Sequence, residues 1–402
     1  MERLIFHIDV NSAFLSWESV KRLKNGQTDL RTVPSIVGGD PESRVSVVTA
    51  KSIPAKKYGI ITGEPVSSAL RKCPELVIAY PDFKLYSECS HAFKAICREY
   101  APAVEEFSID ECFLDMSGTS RIYPDPLKTA YEIKDRIRDE LGFTVNVGIS
   151  RNKMLAKMAS DFEKPDKVHT LYPEEVPSKM WPLPVGDLLF CGKASADKLK
   201  SRRIFTIGDL AQADLSAVQR ILGQKLGAQL HSYANGIDDS PVNPEPEEPK
   251  GYSNETTFED DIVTYEQGEH VLLFLADSVA SRVRKDNVKA YCISVTIRGN
   301  DMKKHSHQIN LPNPTDITRE IYDISKKLLR ELWDGKKPLR LMGLALTNLD
   351  RGQPRQLSIF DNGNREKEQK ADKAVDEIRA KFGRDMIRRG SMMDEDVKIR
   401  RK

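Results

Sequence analysis

Phe107-Ser108-Ile109-Asp110-Glu111-Cys112-Phe113-Leu114-Asp115-Met116 places two adjacent carboxylates inside an otherwise apolar run. Apolar residues at 107, 109, 113 and 114 predict a buried strand that turns and returns, where a carboxylate is costly unless it is paired or coordinates a cation. A second run, Leu4-Ile5-Phe6-His7-Ile8-Asp9, ends in one carboxylate as the chain leaves another predicted strand. Asp9, Asp110 and Glu111 at neighbouring strand ends supply the hard oxygens that Mg²⁺ prefers, with water and substrate phosphates completing its coordination. That arrangement points to phosphoryl transfer.

Working outward, 402 residues are enough for two to four domains, each with its own core. The formal net charge is only +2, so any basic surface for a polyanion must be local. Cysteines at 73, 89, 97, 112, 191 and 292 lack zinc-site spacing and read as reduced core residues. The N-terminus lacks signal-peptide character and no apolar run reaches membrane-spanning length, so a cytoplasmic protein without membrane contact is expected.

Asp9-Val10-Asn11-Ser12-Ala13-Phe14 and Ser108-Ile109-Asp110-Glu111 resemble the two palm signatures of Y-family translesion DNA polymerases of the bacterial DNA polymerase IV type. The resemblance runs through several motifs in the same order, from residue 1 to about 360. It implies an α+β multidomain right hand: a ferredoxin-like palm (1–24 and 80–167), small fingers (25–79) and a helical thumb with a helix-hairpin-helix-like turn (168–236). A separate βαββαβ little finger (250–350) and a charged C-terminal tail (351–402) follow. The implied activity is error-prone, template-directed transfer of deoxynucleotides to a primer 3′ end during damage tolerance, with two Mg²⁺ ions. By resemblance Asp9, Asp110 and Glu111 are catalytic metal ligands, Val10 adds its backbone carbonyl, and Phe14 is a steric gate that excludes the ribose 2′-hydroxyl.

In chain order, residues 2–9 form the first strand and Ser12 to Lys24 a helix entered through Asn11 or Ser12 as cap. Residues 25–79 mix short strands with Gly, Pro and Lys; many relatives place a Tyr and an Arg, three apart, where this chain has Ser52 and Ala55, so Lys51, Lys56 or Lys57 is expected to supply the missing cation. A helix over 84–100, with Leu85, Cys89, Ala92, Phe93 and Ile96 on one face, leads to the carboxylate hairpin. Pro126 to Leu141 read as an amphipathic helix and 143–149 as a strand, completing a βαββαβ order. Beyond it lies Gly148-Ile149-Ser150-Arg151-Asn152-Lys153-Met154-Leu155-Ala156-Lys157, with Asp161 and Lys164 following; Lys153 and Lys157 share a helix face. The resemblance assigns Lys164 to the incoming triphosphate, with Asp161 orienting it.

Gly192 and Lys193 open a thumb helix whose first amides are expected to hold a DNA phosphate. Five acids and four prolines between 237 and 249 predict a stiff, solvated linker. The last domain reads β, helix (265–285), β (290–298), β (304–311), helix (317–333), β (339–348). Residues 279–304 hold Arg282, Arg284, Lys285, Lys289, Arg298, Lys303 and Lys304 against two acids, a strip able to track phosphates of primer-template DNA. Gln356-Leu357-Ser358-Ile359-Phe360, in a polar segment, resembles the sliding-clamp-binding peptide of bacterial polymerases, with Gln356, Leu357 and Phe360 as its contacts. A helix from about Lys370 to Phe382 is expected in the tail, and a monomer is the expected state of a clamp-recruited enzyme. Two other readings stand beside this one: a catalytically silent clamp- and DNA-binding accessory protein of polymerase ancestry, and a nucleotidyl cyclase on a related palm.

Overall fold

The computed structural model describes residues 3–352, 364–383 and 386–387, and the chain divides into two compact units, 1–246 and 247–402. In the first unit β1 (Ile5–Val10) is buried along its whole length. Its alternate side chains serve two layers, so both of its faces are covered. Phe6, Ile8 and Val10 enter the main core, whereas Ile5 packs with Ala156 on the other side. Helix α1 (Ala13–Lys24) begins one residue later than expected. Ser12 sits in the left-handed region at φ 47 and its side chain caps nothing; the Ser16 hydroxyl donates to the Asn11 carbonyl instead.

The chain next builds β2 (Ser35–Val37), β3 (Ala50–Lys51), α2 (Ile53–Lys56), α3 (Val66–Lys72) and β4 (Val77–Ala79), whose strands form a small sheet in the order β3-β2-β4. It returns through α4 (Phe83–Tyr100), β5 (Ala103–Glu106), β6 (Glu111–Asp115), α5 (Pro126–Leu141), β7 (Val145–Ser150), α6 (Lys153–Ser160) and β8 (Val168–Thr170). The large sheet has the order β5-β6-β1-β7-β8. Its first four members are the antiparallel ferredoxin-like arrangement. β8 adds a parallel strand to it, so this sheet takes in three residues that the sequence reading gave to the thumb. Residues 107–110 are a turn rather than strand: Phe107 and Ile109 are 41% and 37% exposed, and β6 starts only at Glu111.

Helix α6 packs unusually close to β7. A side chain at Gly148 would stand 2.0 Å from the Ala156 carbonyl oxygen, so only glycine permits this approach. The helices α7 (Lys193–Lys200), α8 (Ile207–Gln212), α9 (Leu215–Leu222) and α10 (Gln224–Ala234) share a core with Met154, Leu155 and Met158 of α6. The segment read as a solvated linker is in its first half a strap on the palm. Val242 is buried against Ile5, Phe113 and Ala156, Asp238 accepts from the Met154 N–H at the start of α6, and Glu105 accepts from both Lys153 and the Asn243 N–H.

The second unit has β9 (Gly251–Ile262), α11 (Tyr265–Lys285), β10 (Lys289–Gly299), β11 (Lys304–Thr315), α12 (Thr318–Leu332), β12 (Leu339–Asp350) and α13 (Asn364–Phe382). Its antiparallel sheet runs β11-β10-β12-β9. Ile293, Val295 and Ile297 join Met342, Leu344 and Leu346 in a core with both long helices, while Ser294, Thr296 and Arg298 alternate onto the opposite face. Helix α13 belongs to this body and is not a free tail. The Asp372 carboxylate accepts from the Thr318 N–H and so caps α12, whose own N-cap, Ile317, has no capping side chain.

Candidate active site

β1 and β6 pair in a register that places Asp9 opposite Glu111, and the Val10 N–H donates to the Asp110 carbonyl at 3.0 Å. The three acidic residues therefore meet at one pair of strand ends. Asp9 is 5% exposed and needs a partner. It has two: Lys157 Nζ lies 2.9 Å from its Oδ2, and Lys164 Nζ 3.1 Å from its Oδ1. Lys157 also donates to Glu111 Oε1 at 2.8 Å, and Asp161 joins the two lysines at 3.4 and 2.8 Å. Burial alone would lower the pKa of Lys157, but Asp9 and Glu111 outweigh it and the shift is upward. Lys164 is raised likewise, against its burial, by Asp9 and Asp161. The Asp110 carboxyl is pushed up, mainly by burial and then by Glu111 and Asp9, although the Ser108 hydroxyl donates to it at 2.6 Å.

Carboxylate oxygens are the donors a hard divalent cation takes, and Asp9 and Glu111 already share one cation, the Lys157 ammonium. The donor set fits such a metal. Among the described residues no three His, Cys, Asp or Glu side chains converge on one point, since Asp110 is turned to Ser108.

Behind the carboxylates stands a residue that the sequence reading passed over. His7 is fully buried, and because the Ser160 hydroxyl donates to the Lys157 carbonyl, its 2.8 Å bond with His7 Nδ1 has the ring donating. Nε2 has no hydrogen-bond partner among the described residues and lies 3.6 Å from Glu111 Oε2. Burial, then Lys157, lowers its pKa to about 3. Asn146 was passed over too. This buried amide donates to the Ser160 and Glu163 carbonyls and accepts from Asn11 Nδ2 and the Lys167 N–H, fixing both ends of the loop that carries Lys164. A polar residue inside an apolar alternation was the available signal for both.

Phe14, in the first turn of α1, is partly buried and stacks on Tyr86 of α4 at 4.6 Å and 12°. The Tyr86 hydroxyl donates to Glu18, which holds the stack. In the fingers, the positions read as replacing a Tyr and an Arg cannot face a ligand. The Ser52 hydroxyl caps α2 and donates to the Val33 carbonyl, and Ala55 is fully buried. The outward pair three apart is Ile53 and Lys56, one residue later in register. Lys51 donates to the Ile60 carbonyl, whereas Lys57 is exposed.

Gly192 caps α7 and is exposed with Lys193. In the second unit Lys285 is exposed, Lys289 and Arg298 are partly buried, and Arg298 lies opposite Lys304 in the β10–β11 register. Arg282 donates to the Ser253 carbonyl. Arg284 is a correction: its guanidinium bonds Asp372 and Asp376 of α13, 3.2 and 2.6 Å away, and is spent inside the body. Gln356, Leu357 and Phe360 lie outside the described residues.

The impB/mucB/samB family model matches residues 8–161, and the model of that family's C-terminal domain matches 249–359. A DNA polymerase IV of Clostridium acetobutylicum is 43% identical over 99% of this chain and 100% of its own length. The chain belongs to the impB/mucB/samB family. Residues 188–238 match a model described as the thumb domain of DNA polymerase iota. DNA polymerase IV 1 of Bacillus subtilis is 36% identical over 98% of this chain and 94% of its own length. A solved Y-family DNA polymerase chimera, 22% identical, superposes with a TM-score of 0.75 over 87% of this chain and all of its own, so the two share a fold. A member of this family depends on divalent metal. No helix of the described residues is long and apolar enough to cross a membrane.

Proposed function

We propose that the chain is a template-directed DNA polymerase of the translesion type, moving deoxynucleotides from their triphosphates to a primer 3′ end. The observation that carries this reading is the Asp9–Glu111 register with Asp110 at the adjoining turn, two ammonium groups beside them, in a family whose relatives are named DNA polymerase IV. Asp9, Asp110 and Glu111 would hold two Mg²⁺ ions, with the Val10 carbonyl adding an oxygen. When bound, the metal activates the 3′-hydroxyl and stabilises charge on the leaving pyrophosphate. The chain's own groups do the rest. Lys164, kept in place by Asp161 and the Asn146-bound loop, neutralises the triphosphate, and Lys56 reaches it from the fingers. Phe14, braced by Tyr86, presents a rigid ring to the sugar.

Primer-template DNA is held by the Gly192–Lys193 helix start and by Arg282, Lys285, Lys289 and Arg298, with Lys304 beside Arg298. Gln356, Leu357 and Phe360 recruit a sliding clamp to a monomeric, cytoplasmic enzyme. The domain limits given from the sequence belong to the same reading, except that β8 joins the palm. Primer extension with Mg²⁺ and the four deoxynucleotides tests it: templated extension is expected, and none would overturn it.

A further inference from the structure

The turn that carries Asp110 hangs by its backbone. Three consecutive carbonyls in it are each taken by a donor from elsewhere: Ser108 by the Lys94 ammonium at 2.6 Å, Ile109 by the Ser90 hydroxyl, and Asp110 by the Val10 N–H at 3.0 Å. Two of these donors lie one helical turn apart on α4, beneath the turn. Among the described residues the Asp110 side chain is hydrogen-bonded by the Ser108 hydroxyl alone, so the position of its carboxylate is decided by that suspended backbone.

Lys94 is a costly choice for mere support. Its side chain is 2% exposed, and its ion-pair partner Glu106, 3.0 Å away, is 45% exposed and already paired with Arg98. Desolvating an ammonium for half a carboxylate gains little, and replacing such a buried charge by an apolar side chain of equal length is often neutral or stabilising. What methionine could not do is donate to the Ser108 carbonyl. We infer that Lys94, assisted by Ser90, is a positioning residue for the metal-binding turn: it fixes the backbone from which Asp110 projects beside Asp9 and Glu111. The inference rests on the reading of those carboxylates as metal ligands.

Lys94→Met retains the stem and removes the donor. Expected are an unchanged or higher melting temperature, unchanged primer-template affinity and nucleotide KM, and a kcat lower by about 10- to 100-fold. Tb³⁺ luminescence on the DNA-free protein should show metal binding weakened by a similar factor, and Lys94→Arg should restore part of both. Ser90→Ala should move the same two quantities in the same direction, by less. A Lys94→Met protein with the parent's kcat and Tb³⁺ titration overturns the inference. If Lys94→Met does not fold, Ser90→Ala decides, and parent-like values there overturn it. Glu111→Gln separates the two levels. If that variant still incorporates nucleotides, the reading of the site fails; if it is dead while Lys94→Met behaves as the parent, only the positioning role fails.

Discussion

Lys157→Met isolates the electrostatics of the site, because it takes away the ammonium lying 2.9 Å from Asp9 and 2.8 Å from Glu111 and leaves the apolar stem. At an effective dielectric constant near 20, one such contact contributes about 6 kcal/mol of Coulomb attraction, much of it offset by desolvating three charges. Removing one partner of a buried pair costs about 3–5 kcal/mol, since the carboxylates are then left facing one another. Without divalent metal, Lys157→Met should therefore unfold in urea with a free energy about 3 kcal/mol below the parent. Metal should return that loss, because a cation held at 100 times below the working concentration stabilises by about 2.7 kcal/mol. The assay is urea unfolding of both proteins in EDTA and in Mg²⁺ or Mn²⁺, with the metal-induced gain larger in the variant. A loss under about 1 kcal/mol in EDTA, or equal metal gains in the two proteins, would refute the reasoning.

Three further outcomes are expected. Phe14→Ala removes the ring stacked on Tyr86 and should raise ribonucleotide incorporation relative to deoxynucleotide by at least about tenfold in single-turnover assays, whereas an unchanged ratio would make Phe14 packing only. Lys164→Ala and Lys56→Ala should each raise the nucleotide KM, Lys164 more, while Lys51→Ala should not, its ammonium being tied to the Ile60 carbonyl; equal effects at all three would contradict the assignment. His7 is held neutral with its pKa lowered from 6.5 to about 3, so between those values the unfolded chain binds a proton that the folded one does not. That stabilisation is complete above about pH 6.5 and is lost on acidification by about 1.4 kcal/mol per pH unit, a slope that His7→Phe should flatten and that identical slopes would disprove.

The carboxylates were legible because charge inside an apolar run has few physical explanations, and Asp9, Asp110 and Glu111 do adjoin. The second unit was legible for another reason: its elements are long, with clean periodicity, and each expected strand and helix exists within a few residues. Other features depended on contacts that no local pattern encodes. Arg284 looked like part of a basic strip, but its charge is taken up by two aspartates about 90 positions away in α13. Val242 looked solvated among prolines and acids, yet it fills a gap between Ile5, Phe113 and Ala156. In the fingers, which side chains face outward was not legible, because the exposure of Ile53 and Lys56 follows from Ser52 capping a four-residue helix, too short to show a period. Lys157 was placed on the right face but given no task, since its partners are on strands far off in sequence.

Primer extension by Asp110→Asn and Glu111→Gln beside the parent tests the central claim most directly, with DNA affinity measured on the same preparations. The parent should extend a labelled primer in a template-directed, divalent-metal-dependent manner. Both variants should slow nucleotide incorporation by more than about a hundredfold while binding primer-template within a few fold. Near-parental incorporation by either variant would contradict the account.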